Sequence, residues 1–292
     1  MSYIDACSCN RTPCILTGRY SFPPVRACLF DMDGLLLDTE DLYSLCTNLV
    51  LEKYGRPPMP WKIKAMFQGR PGPVVARIFQ EWAQLPISQE QYLAELSALQ
   101  REHFPTTKPL PGVVDLIGRL VPSSAHLALA SSSHKENYKL KTNHLASLFD
   151  LFPPSCRVLG DDPRLDPSRG KPLPDIFQLA LQTINASLPE GEAPIRPDEC
   201  LVFEDSVAGV EAGRRAGMRV IWCPHPKLRD VYAGQEDDVL AGRTGQAGNH
   251  IDPHQLGRSG DGWAEEVTSL EAFPLARYGI IEQVRDLCFV GG

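Results

Sequence analysis

Two acidic pairs in this chain each follow a short apolar run. Asp31 and Asp33 come after Val25-Arg26-Ala27-Cys28-Leu29-Phe30, and Glu204-Asp205 come after Cys200-Leu201-Val202-Phe203. Ser131 ends a third run, Leu127-Ala128-Leu129-Ala130, and Lys171 sits in Gly170-Lys171-Pro172, just ahead of a helical pattern. Acidic residues at strand ends make a poor structural pattern and a good seat for Mg²⁺, a hard cation that takes carboxylate, carbonyl and water oxygens. The same set suits a phosphate monoester. A bare carboxylate cannot approach that dianion, but Mg²⁺ bridging both cancels much of the repulsion, and Lys171 neutralises a further unit. Ser131 and the backbone N–H groups of residues 31–34 can donate to the phosphate oxygens. On this reading Asp31 is the nucleophile. Asp33 protonates the leaving alkoxide and then takes a proton from the attacking water.

Those groups need a scaffold that brings strand ends together. Apolar runs near residues 25–30, 125–131, 156–160, 199–205 and 219–223 alternate with helical patterns over 111–121, 135–148, 174–184 and 207–217. Repeated β-α-β with fully apolar strands predicts an α/β fold, a doubly wound, Rossmann-like parallel sheet whose ligands bind at the carboxyl ends of the strands. Pro111 suits the first turn of its helix. Residues 39–107 break the alternation. They read as helices separated by Gly55, Pro57, Pro58, Pro60, Gly69 and Pro71, with no strand, and so as an all-helical unit inserted after the first strand. The stripe Val74, Ile78, Trp82 is expected to form its core, and Lys62 and Lys64 a solvated face. The division expected is therefore a flexible tail over 1–24, an α/β core over 25–38 and 108–292, and a helical unit over 39–107. Within the core, the polar, Gly-rich stretch 233–262 reads as a mobile loop. Order is expected to return at Trp263, with a helix after Ser269.

The four polar groups also form a recognisable series. Asp31-Met32-Asp33-Gly34 through Glu40, the run ending Ser131-Ser132-Ser133, Gly170-Lys171-Pro172, and Phe203-Glu204-Asp205 through Gly213 occur in that order. Together they resemble the four motifs of the haloacid dehalogenase-like hydrolase superfamily, in its phosphoglycomutase-like branch. The resemblance implies Mg²⁺-dependent phosphatase chemistry through an aspartyl-phosphate on Asp31, with Asp33 as acid/base and its carbonyl on the metal. It implies Ser131 and Lys171 at the phosphate, Asp205 on the metal and Glu204 as a second acidic group there. Residues 39–107 would be a mobile cap. Gly69-Arg70 would form its substrate-specificity loop, although a plain turn with a solvated Arg reads equally well. Val158-Leu159-Gly160-Asp161-Asp162-Pro163 and Ala216-Gly217-Met218 resemble the pseudouridine-5'-phosphatase group and its fungal relatives. The tail, residues 164–169 and the Gly-rich stretch depart from that group.

Bulk properties set limits. With 292 residues, 43% hydrophobic and 22% charged, the chain reads as globular. A net charge of −7 argues against nucleic acid as the main partner. No apolar run suffices to span a bilayer. Nine cysteines, an odd number in a long chain, read as free thiols in a reducing compartment, so a cytoplasmic location is expected. Cys7, Cys9 and Cys14 cluster without the spacing of a zinc module. The expected partner is a small phosphorylated metabolite (nucleoside, pseudouridine or sugar phosphate), bound by a monomer or weak dimer. Two alternatives remain: a phosphosugar mutase on the same fold, and a catalytically silent ligand-binding member.

Overall fold

The computed structural model describes residues 15–17, 20–70, 72–244, 257–258 and 260–282. Strands β1 (Ile15–Thr17) and β2 (Tyr20–Phe22) form an antiparallel pair, and β3 (Ala27–Phe30) opens the main sheet. Helices α1 (Thr39–Lys53), α2 (Trp61–Lys64), α3 (Gly72–Ala83) and α4 (Gln89–His103) follow without a strand. The alternating part comprises α5 (Val113–Leu120), β4 (His126–Ser131), α6 (Lys135–Thr142), α7 (Ala146–Phe149), β5 (Arg157–Leu159), α8 (Asp175–Asn185), β6 (Cys200–Glu204), α9 (Val207–Arg215) and β7 (Arg219–Trp222). Then come α10 (Pro226–Val231), α11 (Glu236–Ala241) and β8 (Ala264–Glu266).

The six-stranded sheet is parallel throughout and runs β5-β4-β3-β6-β7-β8. The chain winds one way from β3 through β4 to β5. It then returns to β6 on the other side of β3 and winds the opposite way. That reversal opens a crevice at the carboxyl end of β3, where ligands bind in such sheets. The inner strands β4, β3, β6 and β7 are buried on both faces, so their two alternating sets of side chains enter different cores. Cys28 and Phe30 join Leu127, Leu129, Phe203 and the α5 residues Val113, Leu116 and Leu120. Ala27 and Leu29 join Ala128, Val202 and the α8 residues Phe177, Ala180 and Ile184. Phe30 stacks on Phe203 at 4.5 Å between ring centroids.

The helices between β3 and β4 have a small core of their own, in which Leu51, Phe79 and Ala83 are buried and Phe67, Trp82 and Tyr92 pack around them. The expected stripe is displaced by one residue. Phe79 and Ala83 carry the burial, Ile78 and Trp82 are part-exposed, and the side chain of Val74 lies outside the described residues. Helix α4 is capped by Ser88, which accepts from the Gln91 N–H. The chain leaves and re-enters the core at one seam: the Asp38 N–H donates to the Lys108 carbonyl, and the Lys108 N–H to Asp38 Oδ1 at 2.6 Å.

Several expectations are corrected. The tail expected over 1–24 is ordered at its end, because β2 delivers Phe22 edge-on to Trp263 at 5.1 Å and the Arg219 guanidinium lies over the Phe22 ring. Residues 1–14, with the Cys7-Cys9-Cys14 cluster, lie outside the described residues. The Gly-rich stretch contains α11, whose acidic first turn complements the helix dipole and whose Val239 and Ala241 are buried. Gly242 ends it in the left-handed conformation at φ +70°, and Arg214 pairs with Asp261 beyond. Residues 245–256 and 259 are outside the described set. Pro111 precedes α5 rather than opening it. Gly112 takes the cap position at φ +82°, where a Cβ would meet the Glu271 nitrogen at 2.3 Å. After Ser269, Pro274 interrupts the helical pattern, and among the described residues a 3₁₀ turn, Leu275–Tyr278, stands where the helix was expected. Among the described residues, five cysteines are free thiols, and no helix is long and apolar enough to cross a membrane.

Candidate active site

The crevice at the sheet's switch point gathers the acidic pairs. Asp31 follows β3, and beside it Glu204 ends β6 and Asp205 follows. All three are buried, with one carboxylate oxygen of each within 4.8 Å of the others. Lys171, 1% exposed, sits beneath them and donates to Asp31 Oδ1 at 2.5 Å, Glu204 Oε1 at 2.6 Å and the Ala130 carbonyl at 3.2 Å. Burial works against its charge, but Asp31 and Glu204 outweigh it and hold the ammonium above its ordinary value. Burial pushes the Asp31 carboxyl up to about 7, against the pull of Lys171 and with the help of Glu204 and Asp33. Asp205 lies well above the carboxylate range through burial, then through Glu40, Glu204 and Asp31.

Ionised together, the three buried carboxylates would outweigh the one ammonium, an excess that a divalent cation would balance. The backbone fits such a group. Gly34, at φ +80°, brings the loop after β3 so close to Asp205 that a Cβ there would lie 2.3 Å from Asp205 Oδ2. Glu204 differs from its two neighbours because both its oxygens are engaged. Oε1 takes Lys171, and Oε2 accepts from the N–H groups of Asp205 (3.1 Å) and Ser206 (3.2 Å) and from Ser206 Oγ (3.0 Å).

Above this floor lies a cavity of about 430 Å³ between the sheet end and the inserted helices. Asp31, Asp33 and Asp205 line its base together with Ser132 and Ser133. Ser131 is wholly buried and accepts from the Ser133 N–H at 3.2 Å, so the serines at the cavity surface are the next two. Gly69 and Arg70 line the opposite wall. Gly69 meets the core closely: its carbonyl accepts from Ser132 Oγ at 3.4 Å, and a Cβ on it would lie 2.3 Å from Ser206 Oγ. Arg70 is half-buried. Burial lowers its pKa, opposed by Glu211 and Tyr232 from the core.

Several residues of the site went unread in the sequence. Gln68, from the inserted segment, donates to Asp205 Oδ2 at 3.1 Å. Lys64 is 3% exposed and pairs with Glu40 at 2.8 Å, which corrects the solvated face expected for it, whereas Lys62 is exposed as expected. His134 precedes α6 as a helix-start residue. Lys141 on α6, wholly buried, donates to Asp33 Oδ1 at 2.6 Å, Ser133 Oγ at 2.6 Å and the Tyr43 hydroxyl at 3.0 Å. Its signal was available: Tyr138, Lys141 and Thr142 share the buried face of α6 at helical spacing, and a lysine there needs a reason.

Residues 25–217 match the family model described as haloacid dehalogenase-like hydrolase. A Saccharomyces cerevisiae protein named a probable pseudouridine-5'-phosphatase is 39% identical over 256 residues, covering 88% of this chain and 98% of its own. The Arabidopsis thaliana (DL)-glycerol-3-phosphatase 2 is 34% identical over 228 residues, covering 77% and 89%. Among solved structures, CbbY from Rhodobacter sphaeroides in complex with phosphate superposes with a TM-score of 0.59 over 87% of this chain and 99% of its own; at 20% identity it speaks for the fold. With the family model covering most of the core and relatives of this identity spanning most of both chains, the chain belongs to the haloacid dehalogenase-like hydrolases.

Proposed function

We propose that the chain is a phosphatase that hydrolyses a small phosphomonoester through a phospho-aspartate on Asp31. The observation that carries the reading is the pairing of buried Asp31 with Lys171 and Asp205 at the base of a cavity that Asp33 also lines. In the first step a carboxylate oxygen of Asp31 attacks phosphorus. The ester P–O bond breaks, and its electron pair leaves on the alkoxide, which takes a proton from Asp33. In the second step Asp33, now a carboxylate, takes a proton from water. The hydroxide attacks phosphorus, the bond to Asp31 breaks, and inorganic phosphate leaves. Lys171 fixes the attacking carboxylate, while Ser131 and the N–H groups of residues 31–34 are the proposed donors to the phosphate oxygens. Asp31 and Asp205, with the Asp33 carbonyl, are the residues that would hold Mg²⁺, and bound there it would screen the phosphate's charge from the carboxylates. Glu204 is assigned to Lys171 rather than to the metal, because its oxygens are already engaged.

The cavity size suits a small organic ligand. Its walls offer Tyr43, Phe79 and Tyr92 beside Thr47, Ser97 and Gln100. This mixture of apolar surface and neutral hydrogen-bonding groups favours a nucleoside-type ester, such as pseudouridine 5'-phosphate, over a bisphosphate. A mutase needs a cation for the substrate's second phosphate. Lys64 is committed to Glu40, and Arg70 lies within the field of Glu211, so hydrolysis is the better reading. The deciding experiment is rapid quenching with labelled ester. Wild type should yield a covalent phosphoprotein and release phosphate without a bisphosphate activator, and Asp31→Asn should do neither. Near-wild-type turnover in Asp31→Asn would sink the mechanism.

A further inference from the structure

Lys141 is out of place energetically. A fully buried ammonium is costly, and a buried ion pair replaced whole by well-packed apolar residues often costs a fold little or nothing, so stability alone does not account for Lys141. Instead its three N–H donors are spent on three acceptors, Asp33 Oδ1, Ser133 Oγ and the Tyr43 hydroxyl. The rings of Tyr43 and Phe104 close over it, each centroid 5.1 Å from Nζ, and the two rings meet edge to face. The Asp33 carboxylate is thereby held at both oxygens, because Ser133 Oγ donates to Oδ2 at 2.6 Å while accepting from Lys141. Asp33 and Tyr43 are the partly exposed members of this group, and both line the cavity.

We propose that Lys141 is a positioning residue for proton transfer: it fixes the plane of the Asp33 carboxyl group toward the leaving oxygen and stabilises the charge that appears when Asp33 gives up its proton. Tyr43 belongs to α1 and Phe104 ends α4, so the enclosure of Lys141 is complete only while the inserted helices rest on the core. Docking of those helices and readiness of the proton donor are thus coupled through one ammonium. The inference rests on the acid/base role assigned to Asp33.

The test uses leaving groups that differ in their need for a proton. An alkoxide must be protonated as it departs, whereas p-nitrophenolate, a far weaker base, departs without help. The quantity measured is kcat/KM, which reads events up to formation of the phosphoenzyme and is blind to the water step. Lys141→Met, similar in length and uncharged, is compared with wild type on two esters. One is the best primary alkyl ester among pseudouridine 5'-phosphate, uridine 5'-phosphate, glycerol 3-phosphate and glucose 6-phosphate; the other is p-nitrophenyl phosphate. The expected loss is about a hundredfold on the alkyl ester and under about threefold on the aryl ester. Equal losses on both, or no loss on either, overturn the proposal. If Lys141→Met fails to fold by circular dichroism, Ser133→Ala replaces it. A several-fold loss confined to the alkyl ester is then expected, and a uniform loss or none overturns the proposal. Asp33→Asn is the control. A uniform loss there removes the acid assignment itself, while a selective loss there with a uniform one in Lys141→Met removes only the role of Lys141.

Discussion

Replacing Gly69 with alanine tests whether the inserted helices must touch the core for catalysis. Gly69 has φ +71°, in the left-handed region, where an L-residue costs about 1–2 kcal/mol. The added Cβ would also lie 2.3 Å from Ser206 Oγ and 3.1 Å from Ser206 Cβ, so relief requires a movement of about 1 Å. Ser206 cannot readily yield. Its hydroxyl caps α9 by accepting from the Gly209 N–H at 3.0 Å and donates to Glu204 Oε2, interactions worth about 1 kcal/mol and about 1.5–3 kcal/mol. The cheaper response is for the loop to lift. That lengthens, without breaking, the single hydrogen bond from Gln68 to Asp205 and the already long 3.4 Å contact of Gly69 with Ser132. Stability should fall by only about 1–2 kcal/mol, a few degrees in Tm for a chain of this size. A 1 Å misplacement at a reacting site is worth about a hundredfold, so kcat/KM should fall about tenfold to a hundredfold. The assay pairs steady-state kinetics with thermal melting. Wild-type kcat/KM in a well-folded Gly69→Ala protein would refute the need for close docking, and a collapse in Tm would show that the glycine serves the fold instead.

Two further changes probe the floor and the wall. Glu204→Gln leaves Lys171 facing an amide that must keep its oxygen on the Asp205 and Ser206 N–H groups and turn its NH₂ toward the ammonium; urea unfolding should show a loss of about 2–3 kcal/mol, reduced from the full cost of breaking a buried pair because Asp205 loses a repelling neighbour, and unchanged stability would show that Lys171 does not depend on Glu204. Arg70→Ala should lower kcat/KM for the best substrate about tenfold to a hundredfold and leave p-nitrophenyl phosphate nearly unaffected, whereas equal losses would make Arg70 a tether between the inserted helices and the core near Glu211.

The fold was legible where burial is two-sided. A strand such as Ala27–Phe30 sends alternate residues into different cores, so every position must be apolar, and the run is visible without any partner being known. The strand pair Ile15–Thr17 and Tyr20–Phe22 was not legible, because three-residue strands carry no such pattern. What anchors Phe22 there is Arg219 and Trp263, about 200 and about 240 positions further along, contacts that only the folded chain makes. Helix α11 lay hidden in a Gly-rich composition for a related reason: its apolar content is the trio Val239-Leu240-Ala241, too short to show a period.

The same distinction divides the site. Asp31, Asp33, Glu204 and Asp205 were readable because they interrupt apolar strands where a parallel sheet presents its ligand-binding edge, and topology turns that sequence position into spatial convergence. Lys64 and Lys141 reach the same crevice from helices and Gln68 from the turn after α2, where a polar residue is ordinary and its direction depends on what the fold buries. Lys64 follows Ile63, beside part-exposed Trp61, on a helix of one turn, and nothing in so short an element fixes a face. Lys141 is different, since eight residues of α6 place it over Tyr138 and beside Thr142 on a stripe that α/β packing must cover. A lysine on the covered stripe of a helix that follows a strand ending at the switch-point crevice has to find a carboxylate, and the nearest strand end supplies Asp33. Buried charge on a helix is therefore as informative as acid at a strand end, provided the helix is long enough to define its own inside.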